Sequence, residues 1–353
     1  MLKKLELENF RSHKKLRLEL GRLTVIVGKN GIGKTNILEA IAMLSFCRSF
    51  RSDDKKNVVN EDSEYARVKG DNLEVFVSLM PRLIMKVKVN GVAKKAADFI
   101  GHLPAVIFSP ETIDIITGSP GERRRFLDIM ISQVDREYLI SLTNFKKIRQ
   151  QRNSLLQKIR DGLGNASELT FWNNEFVREA EMISRKREES ILFLSKELPA
   201  HYQKISGKKT DDLKLQYVKN YEGELSHKLT AFLSREIAYG GTIYGPHRDD
   251  IEFKLNSRNM ANFASRGELK SAILALKLGE LAYLEKSDKR QRESGGETTE
   301  PILLLDDIFS EFDAERRKHL GEIILKYQSV ITTTDKENLS ADLLEKAKMV
   351  ELG

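Results

Sequence analysis

Residues 28–35 read Gly-Lys-Asn-Gly-Ile-Gly-Lys-Thr, and no other stretch restricts the fold of this chain so tightly. The spacing G-x-x-x-x-G-K-T is that of a phosphate-binding loop. Before it, Leu23-Thr24-Val25-Ile26-Val27 is a short apolar, β-branched run, the pattern of a buried strand. After it, Ile37, Leu38, Ile41 and Leu44 recur at helical spacing. Strand, glycine loop and helix follow in the order that phosphate binding requires, which disfavours a chance glycine loop. Gly28, Lys29, Asn30, Gly31, Ile32 and Gly33 are expected to curl backbone N–H groups around phosphate oxygens at a helix N-terminus. Lys34 is expected on the β- and γ-phosphates, and Thr35 on Mg²⁺. The expected ligands are therefore ATP and Mg²⁺.

A second apolar run, Pro301-Ile302-Leu303-Leu304-Leu305, ends in Asp306-Asp307. A buried strand that delivers carboxylates to the metal of a phosphate-binding-loop protein has this form. Asp306 is read as the metal carboxylate, acting through water, and Asp307 as the group that orients or deprotonates the attacking water. Ser310-Glu311-Phe312-Asp313 follows at once. Upstream, Ser265-Arg266-Gly267-Glu268 opens a helix, and Val330 to Asp335 ends another strand. This order of phosphate loop, signature, Asp-terminated strand, Asp313 loop and switch strand is that of an ABC-type ATPase head.

The bulk properties set outer limits. The 353 residues suit one large domain or two medium ones. No apolar run approaches the roughly 20 residues needed to span a membrane. Met1 to Asn9 alternates like a strand rather than a secretory signal. Cys47 is the single cysteine, so an intrachain disulfide is excluded. A cytoplasmic protein without a membrane partner is expected. The formal charge of +7 favours a polyanionic partner such as DNA.

Along the chain, Leu5 to Phe10 and Leu16 to Leu20 read as a hairpin, and three strand candidates follow between Tyr65 and Val89. Val106 to Phe108 returns to a buried strand. From Ser119 to Ile205 the period is helical, broken at Asp161 to Asn165. Lys146, Lys147, Arg149, Arg152, Lys158, Arg185, Lys186 and Arg187 lie there, either as a solvated face or as a stripe that follows phosphates. A strand over Leu213 to Val218, a helix over Glu224 to Glu236, a polar loop from Gly240 to Asp250 and a helix from Ser265 to Tyr283 come next. Ser287 to Glu300 reads as a charged loop. The expected fold is α/β: an ABC-type head with an antiparallel sheet, from 1–118 and 241–353, and a mostly helical lobe over 119–240.

Several runs together resemble the RecF family of bacterial recombination and repair ATPases, relatives of SMC proteins. They are Asn9-Phe10-Arg11, Gly28 to Asn36, Phe108 to Glu111, Gly118 to Pro120 with Glu122 to Asp128, Gly245 to Asp250, Ser265 to Lys270, and Asp306 to Asp313. Gly-Pro-His-Arg-Asp-Asp and Arg-Arg-Arg-Phe-Leu-Asp are far more specific than a phosphate loop alone. The resemblance implies further nucleotide contacts from Arg11, Ser265, Gly267 and Asp313, the signature residues acting from a second subunit. It implies an ATP-dependent homodimer with weak DNA-dependent hydrolysis, binding to single-stranded, gapped or junction DNA, and work with RecO and RecR. Recombinase loading, replication restart and SOS induction follow from the same source. Ile32 stands where the family often has Gln, Glu268 where it has Gln, and Phe312 where it has Leu. A carboxylate at 268 weakens docking of a γ-phosphate unless it points away.

Three other functions compete. An ABC transporter ATPase subunit is disfavoured by the helical insertion and the Gly245 to Asp250 loop. An SMC-type arm needs far longer heptad helices, since at 1.5 Å per residue each helix here reaches roughly 60 Å at most. A small-molecule kinase has no use for the Ser265 run.

Overall fold

The structure, a computed structural model, describes residues 1–52, 54–293 and 300–352, with the side chains of 288–293 left aside. The chain divides into two compact units. The first comprises Met1–Ile113, Lys204–Gly207 and Lys270–Gly353, and the second Asp114–Gln203 and Lys208–Leu269. Residues 241–269, expected from sequence in the head, cluster with the second unit.

The first unit opens with β1 (Lys4–Phe10), β2 (His13–Glu19), β3 (Leu23–Val27) and α1 (Lys34–Phe46). It continues with β4 (Tyr65–Gly70), β5 (Leu73–Ser78), β6 (Ile84–Val89), β7 (Val92–Lys94), α2 (Ala96–Phe99) and β8 (Ala105–Phe108). The second unit holds α3 (Asp114–Thr117), α4 (Pro120–Ser132), α5 (Arg136–Arg160), α6 (Leu169–Ser206), β9 (Leu213–Val218), α7 (Leu225–Ala231), α8 (Leu233–Tyr239), β10 (Asp250–Leu255), β11 (Arg258–Asn259) and α9 (Met260–Phe263). Helix α10 (Arg266–Glu293) begins there and continues in the first unit, which closes with β12 (Ile302–Asp306), α11 (Ala314–Ile324), β13 (Gln328–Thr333), α12 (Ala341–Lys346) and β14 (Lys348–Glu351).

Two sheets build the first unit. The parallel sheet runs β14-β3-β13-β12-β8 and the antiparallel one β2-β1-β4-β5-β6-β7. Strands β3, β12 and β13 are buried without alternation because a central parallel strand is covered on both faces. Strand β2 lies at an edge and alternates, with Lys15, Arg17 and Glu19 exposed, charges that discourage further pairing. Helix α1 packs on β1, β4 and β5 of one sheet and on β12 and β13 of the other. That enclosure explains why it is apolar nearly all round, with Ile37, Leu38, Ala40, Ile41, Ala42 and Leu44 fully buried.

In the second unit α5 and α6 form an antiparallel hairpin. Gly162 adopts φ +75° in the connection, and Asn165 and Glu168 close a reciprocal cap before α6. Leu155, Leu156 and Leu169 pack with Trp172, Leu233 and Ile237. A small antiparallel sheet, β11-β10-β9, completes the unit.

Three local expectations change. The helix expected over Glu224 to Glu236 is two short helices separated by Phe232 at φ −107°. Helix α10 runs on to Glu293 where a loop from Ser287 was expected, and 294–299 lie outside the described residues. Strand β14 was not anticipated. Among the described residues no helix is long and apolar enough to cross a membrane.

Candidate nucleotide site

Parallel register aligns the C-terminal ends of the central strands, the edge at which α/β sheets bind ligands. Thr333 pairs with Val27, and Asp306 with Thr332, so β3, β13 and β12 end together. The loop 28–33 leaves β3 at this edge and turns into α1. Gly33, at φ +102°, is the N-cap of α1, a conformation that favours glycine. A side chain there would also strike Ser12 and His13, 2.6 and 2.7 Å from its Cβ position. Gly28 is confined in turn by Ile32 and by the Leu352 carbonyl, each 3.0 Å from where its Cβ would stand.

The N–H groups of Gly31, Gly33, Lys34 and Thr35 have no partner among the described residues, so four donors face the mouth of the loop at a helix N-terminus. Lys34 is buried at 7% exposure, and its ammonium donates to the carbonyls of Gly28 (2.7 Å) and Lys29 (3.0 Å). Two neutral carbonyls are weak partners for a buried cation, and a phosphate is a stronger one. Thr35 Oγ1 donates to the Asp306 carboxylate at 2.8 and 2.9 Å, and Thr332 Oγ1 donates to the same carboxylate at 2.6 Å. Thr35 and Asp306 form an oxygen-only donor pair that fits Mg²⁺, which keeps waters and takes phosphate oxygens to complete its octahedron. Among the described residues no group of three or more His, Cys, Asp or Glu stands ready to hold a metal by itself.

Asp307 adopts φ +48°, ψ +25°, a left-handed conformation uncommon outside glycine, Asn and Asp. Its N–H is held by the Thr332 carbonyl at 3.1 Å, and its own carbonyl accepts from Ser310 Oγ at 2.7 Å. Burial pushes its carboxyl above the usual carboxylate range, the Lys34 ammonium opposes the shift and Asp306 adds to it. A raised pKa suits a base.

The remaining sequence-predicted residues have other neighbours. Arg11, at φ +53°, donates to Glu39 from Nε (2.9 Å) and Nη2 (2.6 Å), so its guanidinium is engaged by a fully buried carboxylate of α1. Asp313 caps α11, accepting from the Arg316 N–H at 3.0 Å and pairing with the Arg316 side chain, which also reaches Ser271. Ser265 and Gly267 stand at the start of α10 in the second unit. Glu268 does not point away: its carboxylate accepts from the Ser265 N–H (2.8 Å) and hydroxyl (2.9 Å), a capping box closed by the Glu268 N–H. Those two hydrogen bonds hold its carboxyl below the usual range.

Residues that local sequence pattern does not single out also border the loop. His13 Nε2 lies 3.0 Å from the Gly33 carbonyl, and Asn36 donates to Ser12 Oγ at 2.9 Å. Asn60 locks the same turn through the Arg11 carbonyl. Thr332 was legible only as part of a strand end. Nothing in the local sequence places Ser12 or His13 at a loop twenty residues away.

The basic stripe needs correction. Arg152 and Arg187 are buried in the second unit, at 0% and 3% exposure. Arg152 pairs with Glu236 at 2.5 Å and also reaches Asn173 and Thr242. Arg187 pairs with Asp128 at 2.8 Å and donates to the Pro246 carbonyl. Arg123 forks onto Asp250 at 2.7 and 3.0 Å. The two specific runs of the sequence, 123–128 and 245–250, are therefore largely partners of one another.

The profile of the RecF/RecN/SMC N-terminal domain matches residues 1–351. The DNA replication and repair protein RecF of Leptospira interrogans is 36% identical over 96% of this chain and 93% of its own length. That of Staphylococcus epidermidis is 33% identical over 99% and 98%. A solved structure described as the recombination mediator protein RecF with ATP in the RecFOR pathway superposes with a TM-score of 0.85 at 32% identity, over 96% of this chain and 93% of that one. Nearly full-length identity above three parts in ten, on the same fold, settles descent: the chain belongs to the RecF family of RecF/RecN/SMC-type proteins.

Proposed function

We propose that the chain is an ATP-dependent DNA-binding protein of recombinational repair and replication restart. The observation that carries this reading is the convergence of Lys34, Thr35, Asp306 and Asp307 at one sheet edge. RecF relatives are named for replication and repair, and one is described with ATP in the RecFOR pathway.

On nucleotide binding, Lys34 exchanges two loop carbonyls for β- and γ-phosphate oxygens, while the unpartnered N–H groups of the loop donate to the same phosphates. Thr35 and Asp306, now hydrogen-bonded to each other, are the residues that would hold the metal. Bound Mg²⁺ supplies neutralisation of phosphate charge. Asp307 takes or orients the proton of the attacking water. Ser265 and Gly267, at the start of α10, grip the γ-phosphate held by a second copy of the chain, and Asp313 lies at that joint. ATP thereby assembles a homodimer that binds single-stranded, gapped or junction DNA, hydrolyses ATP weakly in response, and works with RecO and RecR in recombinase loading and SOS induction.

Sedimentation with and without ATP and a gapped duplex tests the chain of dependence. ATP is expected to double the sedimenting mass, and the dimer to travel with DNA. Ser265→Arg is expected to keep nucleotide binding and lose the ATP-induced dimer. A parent that stays monomeric at saturating ATP, or dimerises and ignores DNA, sinks the reading.

A further inference from the structure

The arginines that meet around loop 242–250 of the second unit outnumber their carboxylates. Arg123 is paired with Asp250, Arg152 with Glu236 and Arg187 with Asp128. Asp249 is fully buried; its carboxylate accepts from Tyr217 Oη (2.6 Å) and the Asn220 N–H (3.0 Å), and its carbonyl accepts from Arg124 at 2.7 Å. Arg149 and Arg248 are left, and neither has a carboxylate partner among the described residues.

The fold brings these two together. One face of α5 lies against the loop. Phe145 packs on the His247 ring at 6.0 Å between centroids, and Arg152 and Asn153 hydrogen-bond Thr242 at 2.8 and 2.7 Å. Arg149 stands between those contacts, one turn beyond Phe145 and one turn before Asn153. Across from it, the Arg248 N–H closes a turn onto the Gly245 carbonyl at 2.9 Å. Gly245 has φ +129°, and Phe176 lies 2.9 Å from where its Cβ would be, so only glycine lets the turn sit this close to the helices. Arg248 emerges exposed, while Arg149 is half-buried.

A half-buried guanidinium facing another cation is costly unless something neutralises both. The electrostatics agree. Burial and then Arg248 hold the Arg149 guanidinium below its ordinary range. Burial and then Arg149 push the imidazole of His247 down to about 3, with Arg248 and Arg124 adding to the effect. His247 Nδ1 is buried with no hydrogen-bond partner. The neighbouring groups therefore sense surplus positive charge that the protein does not compensate.

We propose that Arg149 and Arg248 form a seat for a backbone phosphate of nucleic acid, built on the second unit by α5 and the Gly245–Arg248 turn. The seat rests on the DNA-binding reading and locates it. Two forked guanidiniums match the oxygens of a phosphodiester, and the surrounding Arg123, Arg152, Arg187 and Asp249 contacts are complete, so they hold the seat still rather than compete for the ligand.

The test is DNA affinity of the full chain with ATP, measured on a gapped duplex across a salt series, with thermal melting as the control for folding. Arg149→Gln with Arg248→Gln is expected to weaken binding about tenfold or more and to lower the salt slope by about 0.9, since the two arginines share one duplex phosphate and each lost duplex phosphate contact removes about 0.9. Arg248→Gln alone changes an exposed side chain, and is expected to weaken binding and lower the slope by less than the double substitution does. Arg149→Lys with Arg248→Lys is expected to restore most of the slope. If the parent binds DNA and the Gln variants bind it with the same affinity and slope, the seat is wrong while the DNA reading stands. If the parent does not bind DNA, both fail. If the Gln variants keep DNA but lose a polyglutamate that the parent binds, the seat serves an acidic partner and this assignment is overturned.

Discussion

The nucleotide edge of the first unit and the arginine-rich core of the second treat charge in opposite ways. At the nucleotide edge the charged groups have provisional partners: Lys34 rests on two carbonyls, and Asp306 on two hydroxyls. In the second unit Arg152 and Glu236 are fully buried and fully satisfied, with Asn173, Thr242 and the Ile243 N–H taking the remaining positions. Neutral partners can be exchanged for phosphate and metal at small cost. A buried ion pair cannot be exchanged, because either charge alone is stranded in a low dielectric. The first arrangement can be exchanged and the second holds a shape.

Substitutions can break that contrast at its strongest point first. Asp307→Asn keeps shape and hydrogen bonding and removes the proposed base. Single-turnover hydrolysis is expected to fall by about 10²–10⁴-fold with ATP binding retained and a longer-lived ATP dimer on DNA. In the parent the base is active above its pKa and lost as pH falls through it, so the acid limb of the rate is expected above the usual carboxylate range and absent from the variant. Near-normal hydrolysis in the variant would move the catalytic role elsewhere.

Glu236→Ala attacks the permanent side. Removing one partner of a buried pair costs about 3–5 kcal/mol, so denaturant unfolding is expected to show a loss of that size. A loss below about 1 kcal/mol would mean that Arg152 finds another partner. Lys34→Ala attacks the exchangeable side. Charge-assisted hydrogen bonds contribute about 1.5–3 kcal/mol, so calorimetry is expected to show ATP affinity at least tenfold weaker, with little change in unfolding free energy. Unchanged affinity would remove this loop from the nucleotide site.

The smallest expected effect sharpens the comparison, because Glu268 belongs to neither type. It caps α10 through Ser265, yet Ser265 is the residue proposed to meet the partner's phosphate. Glu268→Gln is expected to lose about 0.3–1 kcal/mol of charge–dipole stabilisation and to tighten the ATP-induced dimer, since a negative group leaves the phosphate's approach. The capping contribution exists above the ordinary Glu range and is lost as pH falls through the lowered folded pKa; the variant is expected to flatten that acid limb in a melting series. An ATP dimer that weakens on substitution would instead make the carboxylate part of the joint.

The phosphate loop, the Asp-ended strand and the helical insertion were all legible in sequence, because each is local: glycine spacing, an unbroken apolar run, a change of period. The parallel order β14-β3-β13-β12-β8 was not, and β14 escaped notice because Lys348 to Glu351 is short and half charged. Only pairing with β3 makes it a strand, and pairing is a long-range event. The charged residues divide the same way. A sequence lists Arg149, Arg152 and Arg187 as equals on a basic helix, whereas packing buries two of them against Glu236 and Asp128 and leaves the third beside Arg248. What the chain by itself determined was the strand, glycine loop and helix around residues 28–35 and the family to which it belongs. Which charges are paired, which are exchangeable and which are left over was decided only by tertiary structure, because an ion's partner is set by distance in space, and distances between remote residues are not written in any local pattern.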